Sequence, residues 1–123
     1  MKAILLVGTG GFLGSALRYL IYQFIQNKFI SAFPFGTLGV NIAGCFAIGL
    51  MIASLERGNL PAEWRLFLAT GICGGFTTFS AFSGETTTLL RDGNLLHAFL
   101  YVAASVLLGI ASTFLGIALV KLF

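Results

Sequence analysis

The chain has 123 residues, of which 58% are hydrophobic and only 9% are charged, and its formal net charge is +3. Soluble domains carry roughly 25% charged residues, so a chain with a mean hydropathy of +0.99 cannot cover a water-facing surface. The positive excess is too small and too scattered to indicate nucleic-acid binding. Because a membrane span takes about 20 residues, the length predicts an all-α membrane protein with four transmembrane helices in a single domain, residues 1–123.

Four apolar segments separated by polar connections give the predicted spans. They are expected at about residues 3–24, 35–55, 63–90 and 95–122. The connections are marked by polar residues within 27–34, by ERGN at 56–59 and by RDGN at 91–94. Such clusters of Gly, Asn and charged residues are typical of turns. Pro61, followed closely by an acidic residue, is typical of a helix start.

The cations near the span ends predict little preference for either orientation in the membrane. With four spans, both termini share one side with the second connection. That side carries Lys2, Arg57, Arg65 and Lys121, and the other side carries Lys28 and Arg91. So weak a bias under the positive-inside rule permits insertion both ways, and hence an antiparallel, dual-topology homodimer. Four helices fill their own centre with side chains, so a path for a solute also favours an oligomer.

The first and second spans each contain polar residues that hydrocarbon does not favour. Arg18 in the first span either extends to the headgroup region or serves a site, since charges within spans are costly and usually functional or paired. Asn41 in the second span needs hydrogen-bond partners. It either forms a hydrogen-bonded link between helices or belongs to a site. Thr37 lies four residues earlier on the same face, so the pair offers a hydroxyl and an amide to the same neighbour.

The third span contains GICGGFTTFSAFSGE at residues 71–85, a polar run in an apolar chain. Phe79 and Phe82 are three residues apart, which places both rings on one helical face. A hydroxyl row at helical spacing adjoins them, formed by Thr77, Ser80, Ser83 and Thr87. Ring edges are electropositive and hydroxyls donate hydrogen bonds. With no row of Lys or Arg beside them, these groups suit a small, strongly hydrated anion that must bind and still leave.

The same run holds a glycine pair and a carboxylate. Gly74 and Gly75 can break the third helix, which frees backbone carbonyls that are tolerated only inside protein or beside a cavity. Such carbonyls can hold a cation, and two breaks brought together on a symmetry axis would form a cage. Glu85 either ends the broken helix beside an aqueous vestibule or carries protons.

The fourth span repeats the polar pattern. At about 100° per residue, one stripe is hydroxylated and small, and it consists of Tyr101, Ser105 and Ser112 with Gly109 and Gly116 at its border. The residues expected to point elsewhere are Phe99, Val106 and Phe114. Because a polar stripe in a membrane helix must face protein or water, this stripe is expected to line a path or a helix contact.

Three motifs, GGFLGSALRY, GTLGVNIAG and GICGGFTTFSAFSGE, resemble those of the bacterial fluoride channel family (CrcB, or Fluc), and the resemblance covers essentially the whole chain. It implies four-helix subunits with a broken third helix, paired as an antiparallel homodimer in the bacterial inner or plasma membrane. It further implies that the dimer exports cytoplasmic fluoride passively through two pores and holds a structural sodium ion at its centre.

The resemblance also implies roles for individual residues. The fluoride pore is expected to be lined by Phe79, Phe82, Asn41, Thr37, Ser80, Tyr101, Ser105 and Thr113. Glu85 and Arg18 match residues of a vestibule or gate, and the backbone carbonyls of Gly74 and Thr77 match the sodium ligands. The chain departs from the family pattern at Gly109 and Ala81, where related sequences carry hydroxyls.

Two other functions remain open. A proton-coupled small multidrug exporter has a similar size and dual topology, but it needs a membrane-centred carboxylate in the first span, and residues 3–24 contain none. A non-transporting membrane scaffold gives no purpose to the polar pair Asn41 and Thr37 or to the FTTFSAF run at residues 76–82. An enzyme is not expected, because the sole histidine, His97, lies at a span end with no nucleophile or metal partner in register.

Overall fold

The computed structural model describes residues 1–29, 31–58 and 60–123. Four helical segments in this part of the chain are long and apolar enough to cross a membrane, so the prediction of an all-helical protein with four spans is confirmed. The first, second and fourth spans are α1 (Lys2–Lys28), α2 (Phe35–Glu56) and α6 (Leu95–Leu122). The third candidate span covers Ala62–Arg91.

The third span consists of several segments. It contains α3 (Ala62–Arg65), a π-helical stretch (Leu66–Cys73), α4 (Gly74–Phe76) and α5 (Phe79–Arg91). Between α4 and α5, Thr77 and Thr78 are extended, with φ/ψ of −90°/151° and −147°/119°. The glycine pair itself is helical, since both Gly74 and Gly75 lie in α4. The extended backbone therefore follows the pair, at the first β-branched residues after it.

The ends of the spans differ from the predicted bounds by a few residues. Helix α1 continues to Lys28 rather than ending near residue 24, since residues 25–28 contain neither Gly nor Pro, and Gln and Lys are good helix formers. The turns after α2 and α5 contain Gly58 and Gly93 at positive φ, +70° and +81°, a conformation that favours glycine. Asn59, in the predicted turn at 56–59, and Ile30, in the predicted loop at 27–34, lie outside the described residues.

Two helix pairs pack backbone against backbone. Helix α1 lies against the π-helical stretch and α4, and α2 lies against α6. A Cβ atom placed on Gly71 would come within 2.9 Å of the Gly10 Cα, and one on Gly116 would come within 2.9 Å of the Leu50 nitrogen. Both contacts are with main chain, which cannot rotate away, so only glycine permits these approaches. Small residues at such crossings are the usual means of close packing between membrane helices.

The interior is small, and most large apolar side chains face outward. The buried cluster consists of Phe33, Leu89, Ala98 and Tyr101, with Leu38 and Phe82 packed against it. Outward-facing leucines and phenylalanines suit a lipid environment. At one end of the bundle, Lys2 pairs with Glu63 at 2.7 Å. The start of α1 and the start of the third span therefore lie on the same side, as the four-span topology requires.

Candidate functional site

The side chain of Asn41 holds the extended residue Thr78. Asn41 Oδ1 accepts a hydrogen bond from the Thr78 amide at 3.1 Å, and Asn41 Nδ2 donates to the Thr78 carbonyl at 3.3 Å. The Asn41 side chain thus takes the place of the backbone partners that the Thr78 amide and carbonyl would have in a continuous helix. Of the two Nδ2 hydrogens, one is used in this contact, and the second is available to another acceptor. Asn41 therefore links α2 to the third span and keeps one N–H that can donate to another group.

A cavity of about 370 Å³ lies beside this contact, between α2, α5 and α6. It brings together five of the predicted pore residues, namely Asn41, Phe79, Phe82, Ser105 and Thr113. Its remaining lining is Gly44, Cys45, Ile48, Thr77, Thr78 and Val106. Within the described part of the chain, this lining contains amide, hydroxyl and aromatic groups but no Lys, Arg, Asp or Glu.

The two predicted phenylalanines form one wall of this first cavity. Their ring centroids are 5.6 Å apart with an interplanar angle of 42°. Phe82 also contacts the Tyr101 ring at 5.1 Å, and this contact fixes its position against α6. Among the described residues, Phe79 has no ring contact besides Phe82, and 69% of its surface is exposed. The two rings thus share a face, as their spacing predicts, but only Phe82 is packed inside the bundle.

The hydroxyls of the fourth span differ in how they are bonded. Ser105 Oγ is buried, lines the first cavity and has no hydrogen-bond partner among the described residues. Thr113 Oγ1 instead donates to the carbonyls of Cys45 at 3.1 Å and Gly109 at 3.2 Å. A hydroxyl has a single hydrogen, so Thr113 is engaged with the backbone and Ser105 is free to bind a guest.

A second cavity of about 250 Å³ lies on the other side of Thr78, which lines both. It contains the two charged residues predicted for a vestibule, Arg18 and Glu85, together with Thr37. Thr37 Oγ1 donates to Glu85 Oε1 at 2.6 Å, and Tyr101 Oη donates to Glu85 Oε2 at 3.4 Å. The carboxylate is therefore held between two hydroxyls.

Thr37 and Asn41 both bond to the third span, as expected of a pair that serves one neighbour, but at different residues. They do share a helical face, but Thr37 bonds to the Glu85 side chain and Asn41 to the Thr78 backbone. The two partners are seven residues apart along the third span, with the start of α5 between them. Tyr101, predicted to line the pore, is in the lining of neither cavity, because it is fully buried with its hydroxyl on Glu85.

Arg18 does not extend to the headgroups. Its Nε donates to the Gly75 carbonyl at 3.2 Å, and Ser15 Oγ approaches the same oxygen at 3.5 Å. The guanidinium therefore lies at mid-span, against the last turn before the extended residues. The close approach of α1 to α4 puts this backbone oxygen within its reach, and that approach depends on glycines in both segments.

The predicted hydroxyl row on the third span is interrupted. Thr77 Oγ1 donates to the Cys73 carbonyl at 2.9 Å and belongs to the end of α4, not to α5. Ser80 Oγ lies 3.1 Å from Thr78 Oγ1 and is exposed, and Ser80 is in the lining of neither cavity. Helical spacing does not carry across residues 77–78, because the extended backbone resets the rotation of the chain.

Val106 and Thr78 line the first cavity but are not among the predicted pore residues. Val106 was expected to point away from the polar stripe but lines the first cavity beside Ser105. Thr78 lines both cavities, and the signal for an extended segment in the sequence is the pair of β-branched threonines after the glycine pair. Ser112, a member of the stripe, donates to the Ile42 carbonyl at 3.0 Å and so serves helix contact.

Two features of the structure bear on metal binding. The described residues contain no cluster of His, Cys, Asp or Glu that could hold one. Backbone carbonyls at the extended segment are suited to an alkali cation, which prefers oxygen ligands. The Thr78 amide, which in a continuous helix donates to the Gly74 carbonyl, donates instead to Asn41. The Ala81 amide, the corresponding partner of Thr77, donates to Thr78 Oγ1 at 3.3 Å. The residues present therefore fit a cation held by carbonyls.

Comparison with known proteins adds the family context. The family described as CrcB-like protein, Camphor Resistance (CrcB), matches residues 5–117. A relative from Prosthecochloris aestuarii is 48% identical over 123 residues, covering 99% of this chain and 95% of that protein. A relative from Flavobacterium psychrophilum is 46% identical over 122 residues, covering 98% of both chains. One from Gloeothece citriformis is 48% identical over 121 residues, again covering 98% of both. All three are named Fluoride-specific ion channel FluC.

Proposed function

The chain belongs to the family of CrcB-like proteins, and on that premise we propose that it is a fluoride-selective channel that exports cytoplasmic fluoride by passive electrodiffusion. The family match confirms the resemblance seen in three sequence motifs, and the match and the four apolar helices establish a multi-pass bacterial membrane protein. Relatives of nearly the same length are named as fluoride channels, not as enzymes. This supports the same function here.

The composition of the first cavity is the observation that carries the proposal. Two phenylalanine rings, one free amide hydrogen of Asn41 and the unpartnered hydroxyl of Ser105 line it, with no charged side chain among its described lining residues. Ring edges and neutral donors replace part of the water around a small anion. A Lys or Arg would bind the anion tightly, whereas conduction requires sites weak enough to release it. The first cavity is therefore suited to conducting an anion rather than to binding it tightly.

The second cavity is proposed as the vestibule of the same pathway. It adjoins the first at Thr78 and contains both charged residues of the span interior, Arg18 and Glu85. An anion arriving there meets the Arg18 cation, and the Thr37 hydroxyl is held by Glu85. Rotation of the Glu85 carboxylate releases this hydroxyl as a donor. The pair is thus suited to gating rather than to binding.

A homodimer is proposed because one subunit leaves mid-span polar backbone uncovered. Gly74 is exposed, and 69% of the Phe79 surface is exposed, on either side of the extended residues. Non-helical backbone at membrane depth is tolerated only within protein or beside a cavity. A second subunit covering this region satisfies that condition. The weak bias of cations, four on one side against two on the other, permits an antiparallel partner.

A structural sodium ion is proposed at the centre of this dimer. The backbone carbonyls of Gly74 and Thr77 from each subunit would hold it, since the amides that would occupy them in a continuous helix are bonded elsewhere. When bound, the ion supplies a positive charge that joins the two extended segments. The N-terminus of α5, capped by Thr78, then faces the pathway with its own partial positive charge.

The proposed function is tested by reconstitution of the full chain in liposomes loaded with potassium fluoride. A fluoride-selective electrode should record rapid efflux when valinomycin provides the counter-current, with and without a proton gradient, and liposomes loaded with chloride should show little efflux. Efflux that requires a proton gradient would identify an antiporter. Proton-coupled transport of a hydrophobic cation without fluoride efflux would favour the small multidrug exporter, and no flux of any solute would favour a scaffold.

A further inference from the structure

The side chains of Asn41 and Thr78 occupy the two amides that a continuous third helix would direct at its own carbonyls. From this arrangement we infer that Asn41 and Thr78 are positioning residues of the sodium site, because they keep the Gly74 and Thr77 carbonyls free to bind the ion. The inference rests on the proposed function, and it assigns these two side chains a task separate from lining the pathway.

The first step concerns the Gly74 carbonyl. In an α-helix this oxygen accepts from the amide four residues later, which here belongs to Thr78. That amide instead donates, at 3.1 Å, to Oδ1 of Asn41, which lies in α2. Asn41 Nδ2 simultaneously occupies the Thr78 carbonyl. The Asn41 side chain therefore removes the competitor for Gly74 and also withdraws the Thr78 oxygen from the set of available ligands.

The second step concerns the Thr77 carbonyl. Its helical partner is the Ala81 amide, and this amide donates to Thr78 Oγ1 at 3.3 Å, as in an N-terminal cap. The cap oxygen thus satisfies the amide and leaves the Thr77 oxygen free. Thr78 is extended, a conformation that suits a β-branched residue, so the cap and the break are set by the same residue.

Two neighbouring carbonyls are occupied, which leaves fewer backbone oxygens to compete for the ion. The Cys73 oxygen accepts from the Thr77 amide at 3.0 Å and from its hydroxyl at 2.9 Å. The Gly75 oxygen accepts from Arg18 at 3.2 Å. Backbone polar groups at membrane depth are tolerated only inside protein or beside a cavity, so an oxygen whose helical partner is diverted needs a cation or another donor. A sodium ion fills that requirement for Gly74 and Thr77.

The matched pair Thr78→Val and Thr78→Ser tests the inference in purified full-length protein. The midpoint of thermal unfolding is measured against NaCl concentration, with N-methylglucamine chloride keeping the ionic strength constant. An ion that binds only the folded protein raises the midpoint. Thr78→Ser keeps the cap oxygen and should respond to Na+ as the wild type does. Thr78→Val lacks it, so α5 can extend toward the Thr77 carbonyl, and the required Na+ should rise by about tenfold or more.

The readout is the response to Na+ and not the stability itself, because loss of a cap lowers stability at every salt concentration. If Thr78→Val does not fold, Asn41→Leu and Asn41→Asp replace it, since aspartate keeps an oxygen for the Thr78 amide and leucine does not. An unchanged Na+ response in Thr78→Val, or in Asn41→Leu, would overturn the inference. So would a wild type that conducts fluoride but whose unfolding ignores Na+. A wild type that responds to Na+ but conducts no fluoride would overturn the channel and leave the inference standing.

Discussion

Thr37 Oγ1 donates a hydrogen bond of 2.6 Å to Glu85 Oε1 and so ties α2 to α5 across the second cavity. Both residues are removed from bulk water, since Thr37 is 3% exposed and Glu85 is half-buried. A hydrogen bond from a hydroxyl to a carboxylate is stronger than one between two neutral groups. The contact couples a residue of the second span to one beyond the extended segment of the third.

Removal of the Thr37 hydroxyl should weaken this link. Thr37→Val is expected to lower the free energy of unfolding by about 1–3 kcal/mol, because it leaves a buried acceptor without a donor. Thr37→Ser keeps the hydroxyl and should cost less. Thermal unfolding in detergent measures both. In a double-mutant cycle with Glu85→Gln, the two changes should be non-additive, and additive effects would show that the bond contributes no coupling.

The phenylalanine wall gives the second prediction. Phe79→Ile and Phe82→Ile keep apolar volume but remove the ring edges, so fluoride efflux should fall by about 100-fold or more, a loss of ~3 kcal/mol. Phe114→Ile is the matched control, since Phe114 is 67% exposed on the outer face of α6. Liposome efflux with a fluoride electrode measures all three. Wild-type flux in both Phe79→Ile and Phe82→Ile would show that the two rings do not line the fluoride pathway.

The two hydroxyls of α6 should separate conduction from stability. Ser105→Ala removes an unpartnered buried hydroxyl, so fluoride efflux should fall by about tenfold while the unfolding temperature stays the same or rises. Thr113→Val removes a bond between α6 and the Cys45 carbonyl of α2, so stability should fall by about 1 kcal/mol. The opposite pattern would make Thr113 the anion donor and Ser105 a packing residue.

The close approach of α1 to the third span gives a prediction about packing. Gly71→Ala places a Cβ 2.9 Å from the Gly10 Cα and 3.1 Å from the Val7 carbonyl oxygen, and should destabilise the protein by about 1–3 kcal/mol. Gly8→Ala lies on the same helix pair but meets no atom within 4 Å, so it should be neutral or stabilising by up to ~1 kcal/mol. Equal unfolding temperatures for the two variants would contradict this account of the crossing.

Much of the fold followed from the sequence because it depends on local composition. Apolar runs of about 20 residues define spans without reference to any partner, and the four predicted spans match the structure within a few residues. The shared face of Phe79 and Phe82 also followed, because both lie in the uninterrupted helix α5. The hydroxyl row failed at Thr77, where the helical rotation stops.

The partners of the polar side chains did not follow from the sequence. Spacing placed Thr37 and Asn41 on one face, but it gave no means of knowing that their partners lie seven residues apart. Arg18 had two plausible positions, and the choice between them depends on a close crossing of α1 with α4. Such contacts join residues far apart in the chain, so helical periodicity carries no information about them.

By itself, the sequence determined that this protein resides in a membrane, that it crosses four times and that a polar run interrupts the third crossing, because hydropathy and backbone propensity are properties of neighbouring residues. Only the tertiary structure decided which carbonyls and hydroxyls are free. Ser105 and Thr113 are both hydroxyls on one helix, yet one is unpartnered and the other is bonded across to α2. That difference arises because a buried polar group must take whichever partner the packing of the helices brings within about 3 Å.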